Sequence, residues 1–130
     1  MKALLILIAI PVVLFSYISC EKQSTILYSI PDGLYIGTFQ RDGYGKSMVT
    51  MIFKNNHWSG SSTNSKYPAL CEGTYKISSN LISFTNTCAW TSEIDSSFIL
   101  SGSFHMNVQG NVIEFFRITP YLDSYVLKKQ

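Results

Sequence analysis

Residues 98–108, Phe-Ile-Leu-Ser-Gly-Ser-Phe-His-Met-Asn-Val, decide the fold class, because polar and apolar side chains alternate along them. Ser101, Ser103, His105 and Asn107 occupy every second position. A helix would repeat its apolar residues every three or four positions, whereas the period here is two. The stretch therefore predicts a long β-strand with one buried and one solvated face. The predicted buried face consists of Phe98, Leu100, Gly102, Phe104, Met106 and Val108.

Shorter alternating segments, rich in β-branched and aromatic residues, occur on both sides of this strand. Turn-forming residues separate them, among them Asn55 and Asn56, which tolerate positive φ. An antiparallel meander of this length avoids exposed edges best by closing into a barrel. We therefore predict an all-β fold, a small eight-stranded antiparallel barrel, with a β-sandwich as the alternative. The predicted strands are residues 34–41, 47–54, 57–61, 72–77, 81–85, 98–108, 112–118 and 124–128.

The interior of such a barrel is only just wide enough for its own side chains to fill it. Large side chains that could point inward are plentiful in this chain. The sequence leaves open whether the barrel is filled or holds a cavity. The inward candidates are Tyr35, Phe39, Met51, Phe53, Phe98, Phe104 and Phe116.

Residues 1–19 have the organisation of a secretory signal peptide. Lys2 gives a positive start, and an apolar run over residues 3–15 is too short to span a membrane. Ser19-Cys20 then marks an abrupt change to polar residues. This junction resembles the lipobox of bacterial lipoproteins, although Tyr17 stands where those proteins usually carry an aliphatic residue. The resemblance implies that Cys20 is acylated and becomes the first residue after cleavage; an ordinary signal peptide and an uncleaved anchor are the alternatives.

The chain has three cysteines, an odd number for an exported protein. Acylation of Cys20 would leave Cys71 and Cys88, which we expect to form a disulfide in an oxidising compartment. That bond closes a loop of about 18 residues and would be worth about 3 kcal/mol in the chain-entropy model. Two reduced, buried thiols are the alternative.

These features predict a lipoprotein signal peptide at 1–19, a lipidated tether at 20–32 and one β-barrel domain at 33–130. The domain is large enough for one core but not for two. A net charge of +2 with no basic run gives no electrostatic case for nucleic-acid binding. We expect a protein of the cell envelope, attached to the outer membrane on either side through its N-terminal lipid.

Gly33-Leu34-Tyr35 stands where the lipocalins and their calycin relatives carry Gly-x-Trp at the start of the barrel. The chain also resembles a family of small lipocalin-like lipoproteins from Bacteroidota. The resemblance implies a barrel and a lipid anchor but assigns no activity. The segments that carry it are residues 37–39, 58–61, 67–71, 73–75 and 88–91.

The sequence offers little for catalysis, which needs a nucleophile, a base and a group that orients the base. His57 and His105 lie on polar strand faces, where surface histidines are common. Glu93 and Asp95 could serve a calcium ion or a glycosidase-like carboxylate pair, but a solvated acidic loop is the better interpretation. We therefore expect no enzyme activity, no metal and no cofactor.

A candidate binding surface lies in the segment around the two domain cysteines, where aromatic and acidic residues occur together. Its function could be to hold a small apolar or amphipathic ligand at one open end of the barrel. The alternative is a protein-interaction surface, for instance that of a hydrolase inhibitor, on a filled barrel. Trp90 could also simply be part of the core. The candidate residues are Tyr67, Leu70, Trp90, Glu93 and Asp95.

We predict that Cys20 carries the lipid of the processed protein. A fatty-acid analogue supplied to cells that produce the chain should label it, because acylation joins the lipid to the cysteine at the new N-terminus. A Cys20→Ala variant should incorporate no label. Equal labelling of the two forms would contradict the prediction.

Overall fold

A computed structural model of the chain describes residues 28–130. Within these residues, eight antiparallel strands form a closed barrel in which each strand pairs with the next and the last pairs with the first. The predicted barrel is confirmed, and the sandwich is excluded. The expectations for residues 1–19 and for Cys20 lie outside the described residues. The strands are β1 Gly33–Arg41, β2 Ser47–Lys54, β3 His57–Ser62, β4 Glu72–Ser78, β5 Leu81–Asn86, β6 Gly102–Gln109, β7 Val112–Arg117 and β8 Asp123–Lys129.

The stretch 98–108 is not one strand, as the sequence predicted, because β6 begins only at Gly102. Ser96–Phe98 forms a 3-10 turn, and Ile99 pairs with Ala69 in an isolated parallel bridge. Phe98 and Leu100 are nevertheless buried, as are Phe104 and Met106. No helix within the described part of the chain is long and apolar enough to cross a membrane.

Buried and exposed side chains alternate along β2, as expected for a strand with one face in the core. Val49, Met51 and Phe53 are buried, whereas Ile52 and Lys54 are exposed. The prediction for β7 was wrong by one residue, because its strand carries two adjacent phenylalanines. The buried one is Phe115, and Phe116 lies on the outer face, where its ring stacks on His105 with a centroid distance of 5.4 Å.

Large side chains fill the barrel interior. The Phe115 and Tyr125 rings stack at 4.5 Å, and Tyr125 lies 4.8 Å from Phe39. Further along the axis the Tyr35 ring meets Phe53 edge-on at 5.3 Å. Because aromatic pairs at these distances leave little free space between them, the structure favours the filled interior over the cavity. The most completely buried large side chains also include Trp58, Met51, Phe104, Ile82, Leu100 and Ile113.

The two ends of the barrel differ. One end, called here the short-turn end, has the tight turns after β2, β4 and β6, and Asn55 and Asn56 adopt the expected positive φ of 50° and 62°. The chain enters at this end: Ile30 is buried, and the Tyr35 hydroxyl donates to the Pro31 carbonyl at 2.7 Å. The other end, the long-loop end, has the β3–β4 and β5–β6 loops. The last part of the predicted tether therefore packs against the barrel.

Two glycines allow neighbouring strands to approach. A Cβ at Gly37 would lie 1.8 Å from the Val126 carbonyl oxygen on β8. One at Gly73 would lie 1.7 Å from the Thr85 carbonyl oxygen, the group that accepts a hydrogen bond from the Trp58 indole at 3.3 Å. Any larger side chain at either position would force the strands apart.

Phe104→Ala is expected to lower the free energy of unfolding by about 3–5 kcal/mol, because a closed barrel relaxes poorly around the cavity left by a buried aromatic ring. Asn107→Ala, at an exposed position of the same strand, should change it by less than about 0.5 kcal/mol. Urea unfolding followed by circular dichroism measures both. Equal losses of unfolding free energy in the two variants would show that Phe104 contributes no more to stability than an exposed residue.

Candidate interaction site at the long-loop end

The β3–β4 and β5–β6 loops form one covalently joined surface. Cys71 and Cys88 are disulfide-bonded, as predicted, with their Cα atoms 6.3 Å apart. Next to them, the Ala69 amide donates to the Phe98 carbonyl at 3.0 Å, and the Leu100 amide donates to the Ala69 carbonyl at 3.3 Å. The two loops are therefore tied together by both a covalent bond and backbone hydrogen bonds.

Phe98 closes this end of the barrel. Its ring contacts the core residue Phe39 with a centroid distance of 6.3 Å, and Tyr44 and Tyr67 at 5.2 and 5.7 Å. The Ser47 hydroxyl donates to the Tyr67 carbonyl at 2.7 Å and holds the β3–β4 loop against β2. Within the described residues, the Phe98 ring, called here the plug, therefore covers the core at the long-loop end.

A buried ion pair lies beneath the plug. Arg41 Nε donates to Asp123 Oδ1 at 2.6 Å, and Arg41 Nη2 donates to Asp123 Oδ2 at 2.9 Å. Arg117 Nε donates to the same Oδ2 at 3.0 Å. The side chains of Arg41 and Asp123 are each only 2 % exposed. Bidentate geometry of this kind is the strongest form of a carboxylate–guanidinium pair.

The arginines also hold the β5–β6 loop. Arg41 donates to the Ser97 hydroxyl at 2.7 Å and to the Ser97 carbonyl at 2.8 Å, and Arg117 donates to the Ser101 carbonyl at 3.0 Å. The Arg41 guanidinium lies 3.8 Å from the ring centroid of Phe98 and 4.1 Å from that of Tyr121. Charge, hydrogen bonding and cation–π contact thus fix the plug over the barrel.

Burial shifts the titration of groups around this network. Burial opposes the charge on Arg41, but the hydrogen bond and negative charge of Asp123 outweigh it and raise the pKa of the guanidinium. Burial raises the pKa of the Tyr125 hydroxyl, and the neighbouring Asp123 raises it further. Arg41 therefore stays charged and Tyr125 stays neutral at physiological pH.

The five predicted site residues have different surroundings. Tyr67 and Leu70 are half-buried against the core. Asp95 is exposed and caps the 3-10 turn, where its carboxylate accepts from the Ser97 amide at 2.9 Å. Hydrogen bonds from the Ser97 backbone and side chain lower the pKa of Asp95. Glu93 is exposed on the same loop.

Trp90 is half-buried, and it does not belong to the hydrophobic core of the described residues. Its indole Nε1 is buried and has no hydrogen-bond partner within residues 28–130. An unpaired buried donor costs about 1–3 kcal/mol. Tyr67 contacts the Phe98 ring, and Asp95 caps the 3-10 turn that carries Phe98. Within the described residues, Trp90 forms no hydrogen bond to either of them.

Within residues 28–130, neither histidine joins a cluster that could hold a metal ion. His57 and His105 are exposed, and His57 Nδ1 hydrogen-bonds only the Asn55 carbonyl, at 2.9 Å. The described part of the chain has no cluster of three histidine, cysteine or acidic side chains that could hold a metal ion. An open groove of about 500 Å³ lies on the outer wall, between β2, β3 and β4, and includes Ile52, Lys54 and Glu72.

The sequence analysis missed the arginine–aspartate network, although the sequence contains a signal for it. Arg41 shares the inward parity of Tyr35 and Phe39, and Asp123 shares that of Tyr125. A charged residue at an inward position must find a counter-charge. Parity alone would therefore have predicted an inward-facing ion pair between the first and last strands.

Comparisons with protein-family models, curated proteins and solved structures found no match for this chain.

Asp123→Asn is expected to lower the free energy of unfolding by about 3–5 kcal/mol, because Arg41 then stays buried without its counter-charge. Combined with the second single variant, Arg41→Met, in the double variant Arg41→Met/Asp123→Asn, the substitution should cost less than the sum of the two single losses, since that interior carries no unpaired charge and Arg117 can reach water. Urea unfolding of the single and double variants measures the coupling. A double variant that loses the full sum of both single losses would show that the two residues act independently.

Proposed function

We propose that this chain is a lipid-anchored, non-catalytic interaction module of the cell envelope that binds a partner protein through its long-loop end. The observation that carries the proposal is the filled barrel. Because side chains occupy the interior and Phe98 plugs the long-loop end, binding has to use an outer surface. The long-loop end is the best candidate, since binding residues are often carried by loops on a rigid scaffold.

Rigidity supports recognition at this end. The disulfide, the Ala69–Ile99 bridge and the Arg41 network hold the loops before any partner arrives. A surface that is already ordered loses less conformational entropy on binding than a flexible one. This preorganisation favours the long-loop end over the short-turn end as a recognition surface.

Composition supports the same assignment. Tyr44 and Tyr121 are 48 % and 45 % exposed, and they lie on the turns that surround the plug. Leu122 and Ile118 are exposed beside them. Aromatic residues are enriched in protein interfaces and in their energetic hot spots. Trp90, whose indole N–H has no hydrogen-bond partner within residues 28–130, belongs to the same end.

The domain is connected to the expected anchor at Cys20 through its other end, the short-turn end. The described chain enters the barrel through Ile30 and Pro31, at the short-turn end. A lipid at Cys20 would therefore hold the protein by one end and leave the long loops free to meet a partner.

A second candidate function is the binding of a small amphipathic ligand, which the lipocalin resemblance implies. The groove beside Ile52, Lys54 and Glu72 is the specific feature that favours it, because it combines an apolar wall with charged groups. Native mass spectrometry of the protein isolated from its own envelope tests it. A retained small molecule would favour this second function.

Trp90→Ala is expected to weaken partner binding at least tenfold, about 1.4 kcal/mol, while leaving the melting temperature nearly unchanged. Leu81→Ala, an exposed residue at the short-turn end, is the matched control and should bind as the wild type does. Crosslinking in the producing cells, followed by quantitative recovery of the full chain, identifies partners lost only with Trp90→Ala.

Two results would contradict this assignment. A melting temperature that falls in Trp90→Ala as far as in Phe104→Ala would place Trp90 in the core. Partners retained equally by both variants and the wild type would remove the long-loop end as the recognition surface.

A further inference from the structure

The outer wall formed by β2, β1 and β8 is apolar. Leu34 pairs with Ile52 across the β1–β2 ladder, and Thr38 lies between Met48 and Val126. Ile36 lies two positions from Leu34 on the same face. These five apolar side chains are 37–49 % exposed. Together with Thr38 and Thr50, which lie between them, they occupy neighbouring outward positions on three strands.

The opposite wall is polar. On β5 and β6 the exposed outer positions include Ser83, Thr85, Ser103 and Asn107. Ser83 and Ser103 hydrogen-bond each other through their hydroxyls at 2.8 Å. Antiparallel sheets that face water usually carry polar residues on the wet side, and a contiguous exposed apolar surface marks an interaction site. The β2–β1–β8 wall therefore differs in composition from the wall formed by β5 and β6.

Lysines flank this wall. Lys128 pairs with Ile36 across the β1–β8 ladder, and Lys54 lies two positions beyond Ile52 on the outer face of β2. Both are exposed, and neither forms an ion pair within residues 28–130. The acidic residues near the wall are Glu114, which pairs with Val126, Asp32, and Glu72, which lines the groove beside Ile52 and Lys54. Aliphatic side chains between unpaired lysines match the chemistry of an anionic lipid surface.

The wall begins where the chain enters the barrel. Asp32 precedes β1 by one residue, and its carboxylate accepts from the Asn55 amide at 3.2 Å, beside Lys54. Cys20 lies eight residues before Tyr28, the first described residue. Eight residues span at most about 28 Å when fully extended. An anchor at Cys20 would thus keep this wall within reach of the bilayer.

We propose that the β2–β1–β8 wall docks side-on against the surface of a bilayer that contains anionic lipids. The aliphatic side chains enter the interfacial region, and Lys54 and Lys128 contact the headgroups. This proposal rests on the lipid anchor of the proposed function. A short tether raises the effective concentration of the membrane at the wall above that of any dissolved partner, which favours the bilayer over a protein or a second copy of the chain.

Amine-reactive footprinting of the full chain tests the proposal. The protein is reconstituted in phosphatidylcholine vesicles with or without phosphatidylglycerol, labelled briefly and analysed by mass spectrometry. Each lysine near an anionic surface raises the affinity for the membrane about fivefold. Because docked lysines are shielded from the reagent, Lys54 and Lys128 should react at least fivefold more slowly with the anionic lipid present. The internal controls are Lys76 on β4, at the short-turn end, and Lys66 at the long-loop end, both exposed, whose labelling should not change.

Variants separate the wall from the anchor. Ile52→Ser should restore much of the labelling of Lys128, whereas Leu122→Ser, exposed at the long-loop end, should not. The mass of the N-terminal peptide reports acylation of Cys20 in the same experiment, so a missing anchor is distinguished from a wall that does not dock. Three results would overturn the proposal: unchanged labelling of Lys54 and Lys128, equal protection of these two lysines and of the two control lysines, and protection that follows protein concentration rather than lipid charge.

Discussion

The buried pair of Arg41 and Asp123 is the constraint on which the closed barrel depends. The two residues face each other across the seam between the first and last strands. Buried ion pairs add little net stability compared with well-packed apolar residues, but they are costly to break. A slip of one residue at this seam would turn Arg41 outward and leave Asp123 buried without that partner. The pair therefore selects one register for barrel closure, and through Ser97 it also positions the plug.

Most of the fold could be predicted from the sequence, because burial in a barrel follows a period of two. Met51 and Phe53 were assigned correctly for this reason. The errors arose where the pattern was locally ambiguous. Phe115 and Phe116 are adjacent, so apolar content could not decide which of them faces inward. The predicted strand 98–108 included a 3-10 turn because residues before Gly102 keep the alternating burial without strand pairing.

Less of the candidate site could be predicted, because its parts are distant in sequence. Arg41 and Asp123 are separated by 82 residues, and their contact depends on the register of two strands that only the closed barrel brings together. The disulfide was predictable because cysteines have few alternatives in a chain that the sequence predicts to be exported. The capping role of Asp95 was not predictable, because a carboxylate that caps a turn and one that binds a ligand can have the same local sequence.

β1 contributes side chains to three parts of the structure on which the proposed activities depend: the core, the contacts of the plug, and the apolar wall. Its inward residues include Tyr35, Phe39 and Arg41, which belong to the core and the plug. Its outward residues Leu34 and Ile36 belong to the apolar wall. Because a strand separates its two faces by parity, inward substitutions in β1 act through stability, whereas outward ones can change what the wall contacts without altering the core. The long loops are attached to this strand only through Arg41 and the plug, so recognition at the loops can diversify while the wall keeps its own contacts. Under the two proposals, this separation would let one small barrel use its wall for the membrane and its loops for a partner.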